Sequence, residues 1–283
     1  MAGTLLLTAS SPVSVVHNAH VIRRDADAGE AFYCADRRSL TTLGPSIKGD
    51  HVMGLKDDLE KYVVNVLDEK WERRQGQKVP DADDLPLKNL AVELEATVLY
   101  ADLASSTQMV KRKKDWFAAE VYKSYLYCAA KIIRARGGTI TAYDGDRVMG
   151  VFIGNSKNTD AAKCGLQIQW ASKRIVSEKL SEKYTNSDFT LKQRVGIDAS
   201  KLFVARTGIR GSNDLVWVGN AANNAAKLAA LDPQYPTYIT AAVYSKLNET
   251  SKLGGDPKRD MWTDLGTKDM GYQIYGSRFT WSL

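Results

Sequence analysis

ATVLYADLASST at residues 96–107 and GGTITAYDGDRVMGVF at residues 137–152 are the two segments on which the reading of this chain turns. In the first, the apolar run Thr97-Val98-Leu99-Tyr100-Ala101 reads as a buried strand that ends on Asp102. In the second, Asp144-Gly145 reads as a tight turn joining strands over 139–143 and 147–152, with Asp146 just past the turn. If both strands share one sheet, Asp102 and Asp146 stand at adjacent strand ends. Two carboxylates that close repel unless a cation sits between them, so the pair points to a divalent metal site. Either aspartate alone would pass as a turn cap.

Between these segments, residues 114–136 carry Phe117, Val121, Tyr125, Ala129 and Ile132/Ile133 at helical spacing, and Gly137-Gly138 stops the helix. A second amphipathic helix is expected over 159–180. Strands follow over 190–198 and 202–206, and an alanine-rich helix over 220–231 ends at Asp232-Pro233. A strand over 235–240, a helix over 241–247 and a last strand over 271–281 complete the chain. The order β-α-ββ-α-ββ-α-β-α-β gives an α+β fold, with helices on one face of a mostly antiparallel sheet. Ahead of it, residues 1–52 show no period, and translation starting at Met53 is one reading of that. From Met53 a helix opens with Leu55, Leu59, Tyr62, Val63, Val66 and Leu67 on its apolar stripe. A polar connector over 75–86 follows. The expected organisation is an unpatterned segment (1–52), a helix and connector (53–90) and a catalytic domain (91–283).

Composition excludes several classes. The chain has 283 residues and a net charge of +6, with no basic block longer than Lys111-Arg112-Lys113-Lys114. That suits an anionic substrate without indicating nucleic acid. No apolar run is long enough to span a membrane, and Leu5-Leu6-Leu7 is too short for a signal peptide. Cys34, Cys128 and Cys164 have neither metal nor disulfide spacing, which leads to free thiols and a cytoplasmic setting. His17, His20 and His51 all precede the organised region, so His-based triads and His-ligated zinc are excluded from it. No P-loop motif is present.

Beyond Asp102, Leu103-Ala104-Ser105-Ser106-Thr107 leads through small residues toward a helix start. Free backbone N–H groups there would cradle a triphosphate beside the metal. Farther on, Asn223 and Lys227 are four apart on one helix face whose surround is alanine. An amide and an ammonium so placed can hold a ribose and a phosphate.

Together these stretches resemble the nucleotidyl cyclase catalytic domain of the adenylyl and guanylyl cyclases. Its patterns F-x-D-I-x-G-F-T, a G-D hairpin and G-x-x-V-N-x-A-x-R are met here by Tyr100-Ala101-Asp102-Leu103, by Gly145-Asp146 and by residues 219–227. The resemblance spans about residues 94–245. It implies a ferredoxin-like core and two Mg²⁺ or Mn²⁺ ions on Asp102, Asp146 and the Leu103 carbonyl. It further implies attack by the ribose 3′-hydroxyl on the α-phosphorus, with Asn223 orienting the ribose and Lys227 taking the charge-stabilising role of the family arginine. A head-to-tail homodimer with composite sites is also implied.

The departures from the pattern bear on the base. The purine-reading Lys and Asp positions fall on Ala142 and Val216, neither of which can hydrogen-bond a base. Tyr100 replaces the usual Phe, and Arg147 follows Asp146 directly. With TITAYDGDRVMGVF, KLFVARTGIRG and NDLVWVG, these features look like the pyrimidine cyclases of the bacterial Pycsar anti-phage system. That likeness implies UTP, or else CTP, as substrate and a separate effector that responds to the cyclic nucleotide. The other readings are an adenylyl cyclase with displaced base contacts and a degenerate cyclase fold that only binds nucleotide or dimerises.

Overall fold

The computed structural model describes residues 54–283. The segment 1–52 and the expected start at Met53 lie outside the described residues. The described residues divide into two units, 54–70 and 71–283. The first holds helix α1 (Leu55–Asp68), opened by Asp57 and Asp58 in its first turn. The sequence led to a helix running on through residues 69–74, but residues from Glu72 are instead taken into a sheet.

In the second unit the elements are β1 (Glu72–Gln75), β2 (Leu90–Leu103), α2 (Ser106–Arg112), α3 (Asp115–Ala135), β3 (Thr139–Asp144), β4 (Arg147–Phe152), α4 (Lys157–Ala171), α5 (Glu178–Lys183), β5 (Gln193–Ile209) and β6 (Ser212–Val218). After them come α6 (Asn220–Ala229), β7 (Thr237–Thr240), α7 (Ala241–Tyr244), α8 (Glu249–Lys252), the short strands β8 (Leu253–Gly254), β9 (Arg259–Asp260) and β10 (Thr263–Asp264), and β11 (Ile274–Ser277). A π-helical turn, Ser172–Ser177, joins α4 to α5, so the helix expected over 159–180 is continuous in path but changes its hydrogen-bond spacing.

Nine strands form one sheet in the order β10-β11-β7-β5-β2-β4-β3, with β1 beside β2 and β6 beside β5. Pairing is antiparallel except for β1 with β2 and β5 with β7. The run β2-α3-β3-β4-α4-β5 is the split β-α-β unit expected of a ferredoxin-like core.

Strand alternation sorts the core into two layers. Leu99, Ala101 and Leu103 of β2 face α3 and α4, packing with Val121, Tyr125, Ile133, Cys164 and Ile168. Val92, Leu94, Ala96, Val98 and Tyr100 face the other way and pack with Ala221, Ala222, Ala225 and Ala229 of α6. The expectation of helices on a single face thus holds for α3 and α4 and fails for α6. Alanine is what lets α6 lie close to the sheet, and a low-volume helix face looks solvated when read from sequence alone.

The two strands expected over 190–198 and 202–206 are one 17-residue strand, β5. The polar Ser200-Lys201 that reads as a break is accommodated in place. Ser200 Oγ accepts from the Ala221 N–H at 2.9 Å, and Lys201 Nζ pairs with Glu93 at 2.8 Å. Of the cysteines, Cys164 is buried and Cys128 half-buried, both free thiols.

Candidate active site

Three strand ends converge on one residue. Asp102, near the end of β2, is paired across the ladder with Arg147 of β4 on one side and Arg194 of β5 on the other. The β3–β4 hairpin forms as expected, but its turn is one residue later, Gly145-Asp146 between the paired Asp144 and Arg147, with Gly145 at φ 60°, a left-handed conformation that glycine adopts freely. The turn brings Asp146 into the same polar pocket as Asp102, Leu103, Ser105, Ser106, Thr107, Asp144, Arg147 and Arg194.

The electrostatics of this pocket are unbalanced. Burial, and then the charge of Asp146, push the Asp102 carboxyl up to about 7, against the pull of Arg147 and Arg194. Asp146 Oδ2 is buried and has no hydrogen-bond partner among the described residues. Arg147 donates through Nη2 to Asp144 rather than to Asp102 or Asp146. Arg194 holds Nη2 3.7 Å from Asp102 Oδ2, while its Nη1 donates to the carbonyls of Ala230 at 3.2 Å and Leu231. The Tyr125 hydroxyl, fully buried beneath the strand end, lies 3.3 Å from the Asp102 carbonyl oxygen.

An orphaned carboxylate oxygen beside a carboxyl driven toward its neutral form is the donor set a divalent cation satisfies, so Asp102 and Asp146 fit the metal that the sequence led to. The described residues contain no group of three or more His, Cys, Asp or Glu arranged for a metal. Further oxygens would therefore come from the Leu103 carbonyl or from a substrate's phosphates.

The loop after β2 is partly as expected. Ser105 sits at φ 63°, ψ 26°, left-handed for a non-glycine residue, and its carbonyl accepts from the N–H groups of Gln108 and Met109, both at 3.1 Å. Ser105, Ser106 and Thr107 line the pocket. Ala104 is a correction. Its N–H is already committed to the Lys192 carbonyl at 2.9 Å, so it has no donor left for a phosphate.

The residues expected to select the base separate into two groups. Tyr100 and Ala142 lie on the apolar face with Met149, opposite which both are paired across β4. Arg147 stands at the rim between that face and the carboxylates. Val216 is the exception. It pairs with Ala205, and alternation along β6 puts it on the face opposite Tyr100, while its neighbour Trp217 packs in the Tyr100 layer.

Asn223 and Lys227 stand on α6, Asn223 half-buried and Lys227 exposed, and neither lines the pocket around Asp102. Arg194, Asp144 and Trp217 were missed by sequence reading. For Arg194 the available signal was a single cation on the apolar strand QRVGI.

No protein-family model matches the chain. Among curated relatives, a uridylate cyclase of Xanthomonas perforans is 50% identical over 233 residues, covering 82% of this chain and 100% of the relative. One of Burkholderia cepacia is 51% identical over 233 residues with the same coverage, and one of Rhodovulum sp. is 39% identical over 80% of this chain and 97% of its own. Among solved structures, the adenylyl cyclase CyaB from P. aeruginosa aligns with TM-score 0.55 at 20% identity, covering 68% of this chain and 97% of that one. The guanylyl cyclase Cya2 aligns with TM-score 0.56 at 17% identity, covering 67% and 94%. The fold is that of a cyclase catalytic domain, and with about half of the 233 aligned residues identical across the full length of two relatives, the chain belongs to the nucleotide cyclases, in the group whose members carry the name uridylate cyclase.

Proposed function

We propose that this enzyme converts UTP to 3′,5′-cyclic UMP and pyrophosphate. The observation that carries the reading is the unbalanced carboxylate pair, Asp102 and Asp146, set in a polar pocket at the rim of the apolar face that holds Tyr100. Asp102, Asp146 and the Leu103 carbonyl would hold two Mg²⁺ or Mn²⁺ ions, which when bound lower the pKa of a ribose hydroxyl and neutralise phosphate charge.

The chain's own groups do the rest. The Ser105-Ser106-Thr107 loop and the Arg194 guanidinium hold the triphosphate. Asn223 fixes the ribose so that its 3′-oxygen lies in line with the α-phosphorus, and Lys227 offsets the charge that builds on the α-phosphate. The 3′-oxygen bonds to phosphorus as the bond to the β-phosphate breaks, and pyrophosphate leaves with the electron pair. Lys keeps the charge at position 227 but lacks a planar fork, so its contact is a point charge rather than a bidentate clamp.

Because Asn223 and Lys227 do not line the carboxylate pocket of their own chain, the reading includes a head-to-tail homodimer in which each pocket is completed by the partner subunit. Base choice rests on Tyr100 narrowing the face and on Arg147 donating to a pyrimidine carbonyl. The O4 of uracil suits that donor better than the N4 amino group of cytosine, which places CTP second. The relatives' name supports the same base. The product serves as a messenger for a separate effector in anti-phage defence, with the enzyme in the cytoplasm. No helix among the described residues is long and apolar enough to cross a membrane.

The decisive experiment offers all four nucleoside triphosphates in equal amounts with Mn²⁺ and identifies the products by mass. Cyclic UMP as the main product is expected. Cyclic CMP would move the substrate to CTP, cyclic AMP would point to an adenylyl cyclase, and no cyclic product would leave a nucleotide-binding module.

A further inference from the structure

One face of β5 is built to seat α6. Residues 194, 196, 198 and 200 alternate onto that face, and each meets the helix at a different height. At the helix start, Ser200 Oγ accepts from the Ala221 N–H at 2.9 Å. Gly196 lies against the middle, where an added Cβ would fall 2.1 Å from the Ala225 carbonyl oxygen and 2.5 Å from the Ala229 nitrogen. Arg194 holds the carbonyls just past the helix end. Those three contacts fix the height and closeness of α6 through its backbone. Asp198 does something else: its Oδ2 accepts from the Asn224 side-chain amide at 2.9 Å, a side-chain contact that fixes rotation about the helix axis.

Asp198 is also chemically unusual. It is 3% exposed, its other oxygen accepts from the Thr240 hydroxyl, and no salt bridge to it is present among the described residues. A buried carboxylate without a cation is costly, and a neutral amide or hydroxyl would hold a helix with less penalty. What the charge adds is a stronger, more directional hydrogen bond.

We infer that Asp198 is a positioning residue for the cyclisation, acting through Asn224 to set the rotation of α6 and so the aim of Asn223 and Lys227. The inference rests on the roles given to Asn223 and Lys227 above. Successive helix residues are about 100° apart, which puts Asn223 about 100° and Lys227 about 60° round from Asn224 on the same side, and a turn that frees one displaces the others equally. A rotation of about 10° moves an atom some 6 Å from the axis by about 1 Å, and a misplacement of about that size costs on the order of a hundredfold in rate.

The test is an exchange of the pair. Asn224→Asp sets two carboxylates together, and kcat per folded molecule is expected to fall about a hundredfold, with KM for the metal–nucleotide within about threefold because the Asp102 pocket is untouched. Asp198→Asn combined with Asn224→Asp restores an amide–carboxylate pair in reversed order and is expected to regain most of that kcat. Should Asn224→Asp not fold, Asn224→Ala gives the same kcat-against-KM split, because removing the amide leaves the backbone contacts at Ser200, Gly196 and Arg194. A kcat unchanged in Asn224→Ala, or a loss in Asn224→Asp that the double exchange does not recover, would overturn the inference. Asn223→Ala is measured alongside. Full activity there would overturn the role of Asn223 itself, and is distinguishable because the Asp198 and Asn224 variants leave that side chain in place.

Discussion

Asp102 and Arg194 face each other across the β2–β5 ladder, yet the guanidinium does not close on the carboxylate. Nη2 stops 3.7 Å from Oδ2, and Nη1 is spent on the carbonyls after α6. A cation tied elsewhere neutralises its neighbour only in part. The Asp102 carboxyl therefore remains pushed up to about 7 by burial and by Asp146, a strain that a bound cation would relieve.

The first prediction follows from that strain. A folded-state pKa of about 7, against 3.8 ordinarily, means the folded protein holds the Asp102 proton more tightly than the unfolded chain. Metal-free stability should then be free of this penalty below about pH 4, decline as pH rises toward 7, and stay lowered above it. Asp102→Asn removes the penalty and should stabilise the metal-free protein at pH 8 by up to about 3 kcal/mol while abolishing cyclisation. Denaturant unfolding of both proteins at pH 4 and pH 8 in EDTA checks it. The difference between them should be present at pH 8 and absent at pH 4. Equal stability at both pH values would mean that burial does not burden Asp102.

The second prediction concerns assembly. Asp146→Ala and Asn223→Ala each remove one part of the site from different faces of the chain, and each alone should be inactive. Mixed dimers of the two contain one site with both defects and one with neither. A mixed dimer should show about half of wild-type activity, and an equimolar mixture assorted at random about a quarter, since effects at independent sites add. Unfolded and refolded mixtures, checked for mixed dimers by native mass spectrometry, give the measurement. No recovery in demonstrated mixed dimers would place Asp146 and Asn223 in one chain's site.

Much of this site could be read from sequence because its signals are local. Asp102 closes an apolar run and Asp146 belongs to a glycine turn, and both signals are visible without knowledge of what packs nearby. What could not be read depends on strand partners. The Ala104 N–H looks free until β2 and the residue before β5 are placed together and Lys192 takes it. The face of Val216 was hidden for the same reason. Without β6 recognised as a strand, alternation could not be applied to Leu215, Val216 and Trp217. Arg194 was passed over because one cation in a strand is ordinary, and only its register opposite Asp102 gives it meaning.

The third prediction tests the seat of α6. Gly196 has an extended backbone that any residue could adopt, so its requirement is one of space alone. Alanine there would overlap helix backbone, which cannot move aside as a side-chain tip can. Gly196→Ala should destabilise the domain by about 3 kcal/mol or more, since α6 must lift from β5. A chemical denaturation midpoint within error of wild type would show that α6 has room to shift.

The last prediction is the choice of base. Tyr100 is 5% exposed, and burial pushes its hydroxyl up to about 12, so at working pH it is a neutral phenol within the apolar layer. Met149 and Ala142 lie beside it, and Trp217 packs in the same layer. Ala142 cannot hydrogen-bond a purine edge and Val216 lies on the other face, so discrimination falls to ring size and to Arg147 at the rim. The expected order is UTP, then CTP, with ATP and GTP poor. Tyr100→Ala opens the space and should raise the share of ATP converted relative to UTP. Arg147 needs a paired control, because its removal leaves Asp144 as a third uncompensated carboxylate beside Asp102 and Asp146. Arg147→Gln alone therefore weakens both base and metal binding. The double variant Asp144→Asn/Arg147→Gln restores the local charge and should recover Mn²⁺ affinity but not the rate with UTP. If the double variant recovers both, Arg147 acts only on the charge of the pocket, and preference for uracil must come from the Tyr100 face.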